Sequence, residues 1–252
     1  MRVNTAEQAL GIIQDNDTLW CHSMAATPYF LLQALAKVAL ERRNLTLLQL
    51  HTEHSDMLCS AELEGHLRQR CFFVGRTTRP AVNCGLADYV PIFLSEIPKL
   101  FRSREQVLDV ALIQVSPPDQ HGFCSLGISV EATRAALQMA KKVIAWVNPL
   151  MPRTHGDSFI HISQIDRYVE YSAAIPLHLP AQQNTVTQQI GRHIASLIRD
   201  GDCLQLGIGA IPDATLGYLT DRKNLGIHTE MFSDGILPLV EHGIITNQNK
   251  RK

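Results

Sequence analysis

The chain has no paired cysteine motif. Its six cysteines, Cys21, Cys59, Cys71, Cys84, Cys124 and Cys203, are scattered without CxxC spacing, and no segment reads as a secretory leader. Reduced thiols and a cytoplasmic location are therefore expected. Long apolar runs are also missing. The most apolar window, 29–40, is interrupted by Gln33 and Lys37 and falls far short of a bilayer span, so no membrane segment is expected. Neither sign of charge dominates. A formal net charge of -1 gives no footprint for nucleic acid, and the one basic cluster, Lys250-Arg251-Lys252, reads as a solubilising tail. No GxSxG nucleophile elbow occurs, which argues against a serine hydrolase. His51-Thr52-Glu53-His54 lacks the two-histidine i, i+4 geometry of a helical zinc site and reads as ordinary surface or strand histidine, so no metal is expected. Repeats at solenoid spacing and low-complexity segments are absent too.

What the chain does have is apolar residue in quantity. Of its 252 residues 45% are hydrophobic and 19% charged, and a chain of this length buries roughly 70 to 75% of its unfolded surface, so a core forms without disulfides or metals. Leu31, Leu35 and Val38 recur at helical spacing and predict a helix over 26–43, followed by a strand-length apolar run at 45–50. Further runs at 71–74, 107–115 and 143–147 alternate with helix-like stretches such as 130–141 and with Pro/Gly loops. This pattern predicts an α/β fold, an open and mainly parallel sheet with covering helices.

Two loops are chemically specific. Ser116-Pro117-Pro118-Asp119-Gln120-His121-Gly122 and Asn148-Pro149-Leu150-Met151-Pro152-Arg153-Thr154-His155-Gly156 each follow an apolar run. Strand-end loops of α/β sheets are where ligands sit, although most loops only connect. A boundary is expected over 175–184, where Pro176, Pro180 and Gln182-Gln183-Asn184 break the alternation, giving domains of 1–180 and 185–252. The second opens on a helix whose capping box is read as Thr185 with Gln188. Its apolar stripe is Val186, Ile190, Ile194, Leu197 and Ile198, and Gly201 is placed at its C-terminal cap.

The residues that carry chemistry lie in this second part. The run 203–206 has strand length and Pro212 suits the start of a helix, so Gly207, Ile208, Gly209, Ala210 and Ile211 form a strand-to-helix turn. Two glycines permit close approach to a ligand, and helix-start amides favour phosphate or oxyanion density. The turn lacks the third glycine of a dinucleotide fingerprint and the Lys-Ser/Thr of a P-loop, so a plain turn and a ligand loop both remain open. Glu230 stands between the segment 225–229 and a Ser233-Asp234-Gly235 turn, where a lone glutamate is ordinarily solvated.

Taken together, Gly207-Ile208-Gly209-Ala210-Ile211-Pro212 and His228-Thr229-Glu230-Met231-Phe232-Ser233-Asp234-Gly235 resemble the acetyl-CoA hydrolase/transferase family of class I CoA-transferases, which includes 4-hydroxybutyrate CoA-transferases. The resemblance extends to Asn83-Cys84-Gly85-Leu86-Ala87-Asp88-Tyr89, Leu94-Ser95-Glu96, the stretch 109–119 and Met151-Pro152-Arg153-Thr154-His155-Gly156, and so runs through nearly the whole chain. It implies a NagB/RpiA/CoA transferase-like fold whose first domain helps wall the substrate cleft. It implies that Glu230 attacks an acyl-CoA, giving an acyl-glutamyl anhydride and then a glutamyl-CoA thioester that an acceptor carboxylate resolves. It also implies that residues 207–211 contact CoA. Coenzyme A and acyl-CoA are then substrates, with acetate-like or 4-hydroxybutyrate-like acids as partners, and no tightly bound cofactor is expected.

Family members continue past the block matching Ile244-Ile245-Thr246-Asn247 into further α/β structure with a Gly-Gly-Gln loop that helps bind CoA. The expectation is that 185–252 is the truncated start of a second domain. It would act poorly alone, and a homo-oligomer or a chain supplying the missing C-terminal half would complete it. The rival readings are a non-catalytic CoA-binding or interaction fragment and an acetyl-CoA hydrolase that uses Glu230 with water as acceptor.

Overall fold

The computed structural model describes residues 1–177 and 182–250. Two compact units divide the chain, Met1–Leu177 and His178–Lys252. Pro180 of the expected boundary and Arg251 and Lys252 of the basic tail lie outside the described residues.

The first unit contains strands β1 (Arg2–Val3), β2 (Thr18–Cys21), β3 (Leu45–Gln49), β4 (Leu67–Cys71), β5 (Ala87–Tyr89), β6 (Val110–Val115), β7 (Phe123–Ser125), β8 (Lys142–Val147), β9 (Phe159–His161) and β10 (Arg167–Glu170). Its helices are α1 (Ala6–Leu10), α2 (Tyr29–Ala39), α3 (Arg79–Asn83), α4 (Ile97–Arg102) and α5 (Thr133–Met139). Eight of the strands form one sheet in the order β1-β10-β8-β6-β2-β3-β4-β5, and every pairing in it is parallel. The remaining two, β7 and β9, pair antiparallel with Cys124 opposite Ile160.

The covered sheet explains the apolar runs. Side chains alternate across a strand, so a strand reads as a continuous apolar run only when both faces are buried. Along β6, Val110 and Leu112 join the core under α1 and α2, whereas Ala111, Ile113 and Val115 join one on the other face. A neighbouring cluster there centres on Trp20, Leu48, Phe101 and Ala135, with the rings of Trp20 and Phe101 edge to face at 5.3 Å.

Several element limits differ from the sequence reading. The expected strand over 71–74 is instead β4, which ends at Cys71. Its Leu67, Gln69 and Cys71 are buried while Arg68 and Arg70 are exposed, so alternation rather than an apolar run marks it. Helix α2 begins only after Pro28, and beyond Ala39 the amides of Leu40, Glu41 and Arg42 reach back three residues, tightening the helix to its end. Likewise α5 covers Thr133–Met139 of the expected 130–141.

The second unit contains α6 (Thr185–Leu197), β11 (Cys203–Leu204), α7 (Ala210–Gly217), β12 (Gly226–Ile227) and α8 (Leu237–Glu241). Strands β11 and β12 are parallel, and a parallel bridge joins Leu225 to Ile245. The cap of α6 is Asn184, not Thr185: Asn184 Oδ1 accepts from Thr187 N–H at 2.9 Å and Thr187 Oγ1 accepts from Asn184 N–H at 2.9 Å. Ile198, not Gly201, caps its other end. Four residues of the expected stripe face outward, with Val186 62%, Ile190 36%, Ile194 38% and Leu197 78% exposed, whereas Ile198 packs against the buried cluster of the unit. The inward face is made by small residues, Gly191 and Ala195. A Cβ on Gly191 would lie 2.9 Å from the Ala214 carbonyl carbon and from the Thr215 nitrogen of α7, so the close helix approach requires glycine there. No helix of the described residues is long and apolar enough to cross a membrane.

Candidate active site

The glycine loop and Glu230 leave from the same ends of two adjacent parallel strands. Gly226 N–H donates to Asp202 O and His228 N–H to Leu204 O, each at 2.9 Å, after which the chains separate. The C-terminal ends of parallel strands are where α/β folds place ligands. The first chain passes through residues 205–209 into α7, while the second carries Glu230 into a bend.

Backbone geometry shapes the loop. Gly209, the N-cap of α7, adopts φ 120° and ψ -176°, a region essentially confined to glycine. Asp213 N–H to Gly209 O is the first helical bond, so the amides of Ala210 and Ile211 precede it and Pro212 has none to offer. Among the described residues, no amide from Gly207 to Ile211 donates to a protein acceptor. Gly207 and Ile208 are exposed, as is Glu230, whose carboxylate has no hydrogen-bond or ion-pair partner among the described residues.

One side chain ties the two segments. Thr229 Oγ1 accepts from Leu206 N–H at 3.0 Å and lies 2.8 Å from Leu206 O and 3.0 Å from Met231 O as donor. Leu206 immediately precedes Gly207, and Thr229 immediately precedes Glu230. The sequence reading missed this residue. Thr229 stood only as a member of the block His228 to Gly235, and its partner became visible only with the register of β11 against β12.

The first unit gathers its own polar residues beyond the strand ends. Strand order reverses between β2 and β6, and His22, Ser23 and Met24 follow β2 at that point. His22 is fully buried, with Nε2 donating to Ser129 O at 2.6 Å and Nδ1 accepting from Gln114 N–H at 3.4 Å. Burial pushes its pKa down to about 4, against the opposing effect of the bond to Ser129 O, so the ring is neutral at pH 7. Ser23 Oγ donates to the Glu131 carboxylate. Gln114 Oε1 accepts from Asn148 Nδ2 at 2.8 Å.

The two specific loops follow β6 and β8, which are neighbours, and they are fastened to each other. Arg153 Nη2 meets Asp119 Oδ2 at 2.7 Å and Arg153 Nη1 donates to Phe123 O at 2.9 Å. The Phe123 amide, then the His121 amide and the Arg153 guanidinium, hold the Asp119 carboxyl below its usual range. Elsewhere, His51 Nε2 lies 3.1 Å from Glu53 Oε1. No group of three or more metal-ligating side chains occurs among the described residues.

A parallel sheet covered on both faces, with its order reversing between two central strands, makes the first unit a doubly wound α/β protein. The chain belongs to the acetyl-CoA hydrolase/transferase family, whose N-terminal domain pattern matches residues 1–177. It is 46% identical over 253 residues to a succinyl-CoA:acetate/propanoyl-CoA:succinate CoA transferase of Fasciola hepatica, covering 98% of this chain and 52% of that protein. It is 45% identical to the 4-hydroxybutyrate coenzyme A transferase of Clostridium kluyveri, covering 98% of this chain and 57% of that protein. The crystal structure of RipA from Yersinia pestis superposes with a TM-score of 0.90 at 32% identity, covering 98% of this chain and 60% of that one. The chain thus spans about half the length of the curated relatives it matches.

Proposed function

We propose that the chain carries the nucleophile and part of the CoA site of a CoA-transferase that exchanges CoA between an acyl-CoA and a short carboxylic acid of the acetate or 4-hydroxybutyrate type. The observation that carries this reading is the placement of Glu230 and the glycine loop at the ends of paired parallel strands, fastened by Thr229. A Glu230 oxygen attacks the thioester carbonyl carbon, and the CoA thiolate leaves to give a mixed anhydride. The thiolate then attacks the Glu230 carbonyl and expels the donor acid. An acceptor carboxylate attacks the resulting glutamyl-CoA thioester, and a second return of the thiolate yields the new acyl-CoA and free Glu230. Amides of the loop and of the α7 start stabilise the tetrahedral oxyanions, where a single donor is typically worth about 2.7 to 4 kcal/mol. Thioester energy is conserved because carboxylate exchanges for carboxylate at each stage.

Hydrolysis is a second reading, favoured by the exposure of Glu230, which admits water as the acceptor. The free state of all six cysteines supports a reducing, cytoplasmic setting. The outward apolar face of α6 supports a covering partner, such as a second copy of the chain.

Intact mass after incubation of the chain with acetyl-CoA tests the proposal. A CoA adduct that maps to Glu230 and is lost in Glu230→Gln is expected. Mapping to the exposed thiol of Cys203, or persistence in Glu230→Gln, would remove Glu230 as nucleophile. Release of the adduct by added acetate, faster than by water, separates transfer from hydrolysis.

A further inference from the structure

We infer that Thr229 is the positioning residue that sets the Glu230 carboxylate against the glycine loop, an inference that rests on the proposed transfer chemistry. In a regular parallel pair the next rung after His228 N–H to Leu204 O would run from Leu206 N–H to the carbonyl of His228. That rung is taken over by a side chain: Leu206 N–H goes to Thr229 Oγ1 at 3.0 Å. The hydroxyl has one proton, shared between Leu206 O at 2.8 Å and Met231 O at 3.0 Å. The hydroxyl therefore holds both polar groups of the residue before the loop and one of the residue after the nucleophile.

This arrangement suits a site whose strands must part. Backbone pairing carried further would keep the two chains side by side, leaving no opening between the glycine amides and Glu230. A side-chain rung lets the chains diverge while fixing their separation at the point of divergence. Threonine suits the place better than serine because its β-branch restricts χ1. Valine has the same shape but neither accepts nor donates, so it would leave the Leu206 amide and carbonyl without their partner. The loop and the carboxylate would then be joined only through short strands of two residues each. Reacting groups displaced by about 1 Å lose on the order of a hundredfold in rate.

The test measures, in the full chain, the rate of acetyl-CoA-dependent adduct formation at Glu230 for the unsubstituted protein, Thr229→Val and Thr229→Ser, with circular dichroism to show folding. The expected result is a loss of tenfold or more in Thr229→Val, with Thr229→Ser within threefold of the unsubstituted chain. If Thr229→Val does not fold, Thr229→Cys, which keeps the volume with only a weak donor and acceptor, takes its place under the same thresholds. A folded Thr229→Val that reacts within twofold of the unsubstituted chain overturns the positioning role and leaves the transfer reading intact. Equal losses in the serine and valine variants also overturn it, since the hydroxyl would then not be the cause. No adduct in the unsubstituted chain overturns the transfer reading itself, and the positioning role with it.

Discussion

Lowering the pH should weaken the first unit through one ring, His22, and the size of the effect follows from its burial. The unfolded chain binds a proton at this side chain with a pKa near 6.5, whereas burial lowers it to about 4 in the folded unit. Between those values the unfolded state holds the extra proton, so stability is fully present above pH 6.5 and is lost as pH falls towards 4. At about 1.4 kcal/mol per pH unit, the whole loss is about 3 kcal/mol, of which about 2 kcal/mol has gone by pH 5. Both tryptophans of the chain, Trp20 and Trp146, are buried in this unit, so their fluorescence follows its unfolding. Urea titrations at pH 7.5 and pH 5 should differ by that amount in the unsubstituted chain. They should differ by about 2 kcal/mol less in His22→Gln, whose amide can still donate to Ser129 O but cannot take up the proton. In thermal terms the single-group effect is roughly 4 to 8 °C for a unit of this size. An identical pH response in the two proteins would show that His22 titrates freely and would refute the argument.

Other consequences are open to simpler measurement. Gly209→Val forces a β-branched residue into φ 120° at the start of α7, a strain of about 1 to 3 kcal/mol, and should also weaken CoA binding by calorimetry; equal affinity in a folded variant would remove the loop from the site. Gly191→Val should destabilise the second unit by about 1 to 3 kcal/mol in denaturant, because its added carbons meet the backbone of α7, and a neutral result would mean the helices can separate without loss. Val186→Ser together with Leu197→Ser should change stability by no more than about 0.5 kcal/mol each yet reduce self-association in sedimentation, whereas unchanged association would place any contact elsewhere.

The sequence disclosed those elements whose surroundings are uniform. Strands β6 and β8 were legible because both their faces are buried, leaving runs that are apolar apart from Gln114 in β6 and Lys142 at the start of β8. Strand β4 was not, since Arg68 and Arg70 point to solvent and the run that follows leaves the sheet after the Phe72 amide bonds Gln49 O, with Phe73 exposed. In α6 four of the five stripe residues share one face, Ile198 alone packing inward, but amphipathicity does not say which face meets the rest of the unit. Gly191 and Ala195 won that place because small side chains allow the closest approach. Asn184 and Thr185 were both competent caps, and Gln188 favoured the wrong one. Within the candidate site, Glu230 and the loop announced themselves as motif residues. The linking role of Thr229, although it lies in the same motif block, and the buried state of His22 were not legible, because each depends on a strand neighbour distant in sequence.

The parallel pairing of β1 with β10 sets a timetable for synthesis. Arg2 stands beside Tyr168 and ion-pairs with Glu170 at 2.7 Å, so the earliest strand of the sheet in chain order pairs with the latest. At about 5 to 20 residues per second, the amino-terminal segment waits roughly 8 to 33 s for its neighbour. Throughout that interval Val3 has no Val169 to stand opposite, so this edge of the sheet closes only once residues 167–170 have been made.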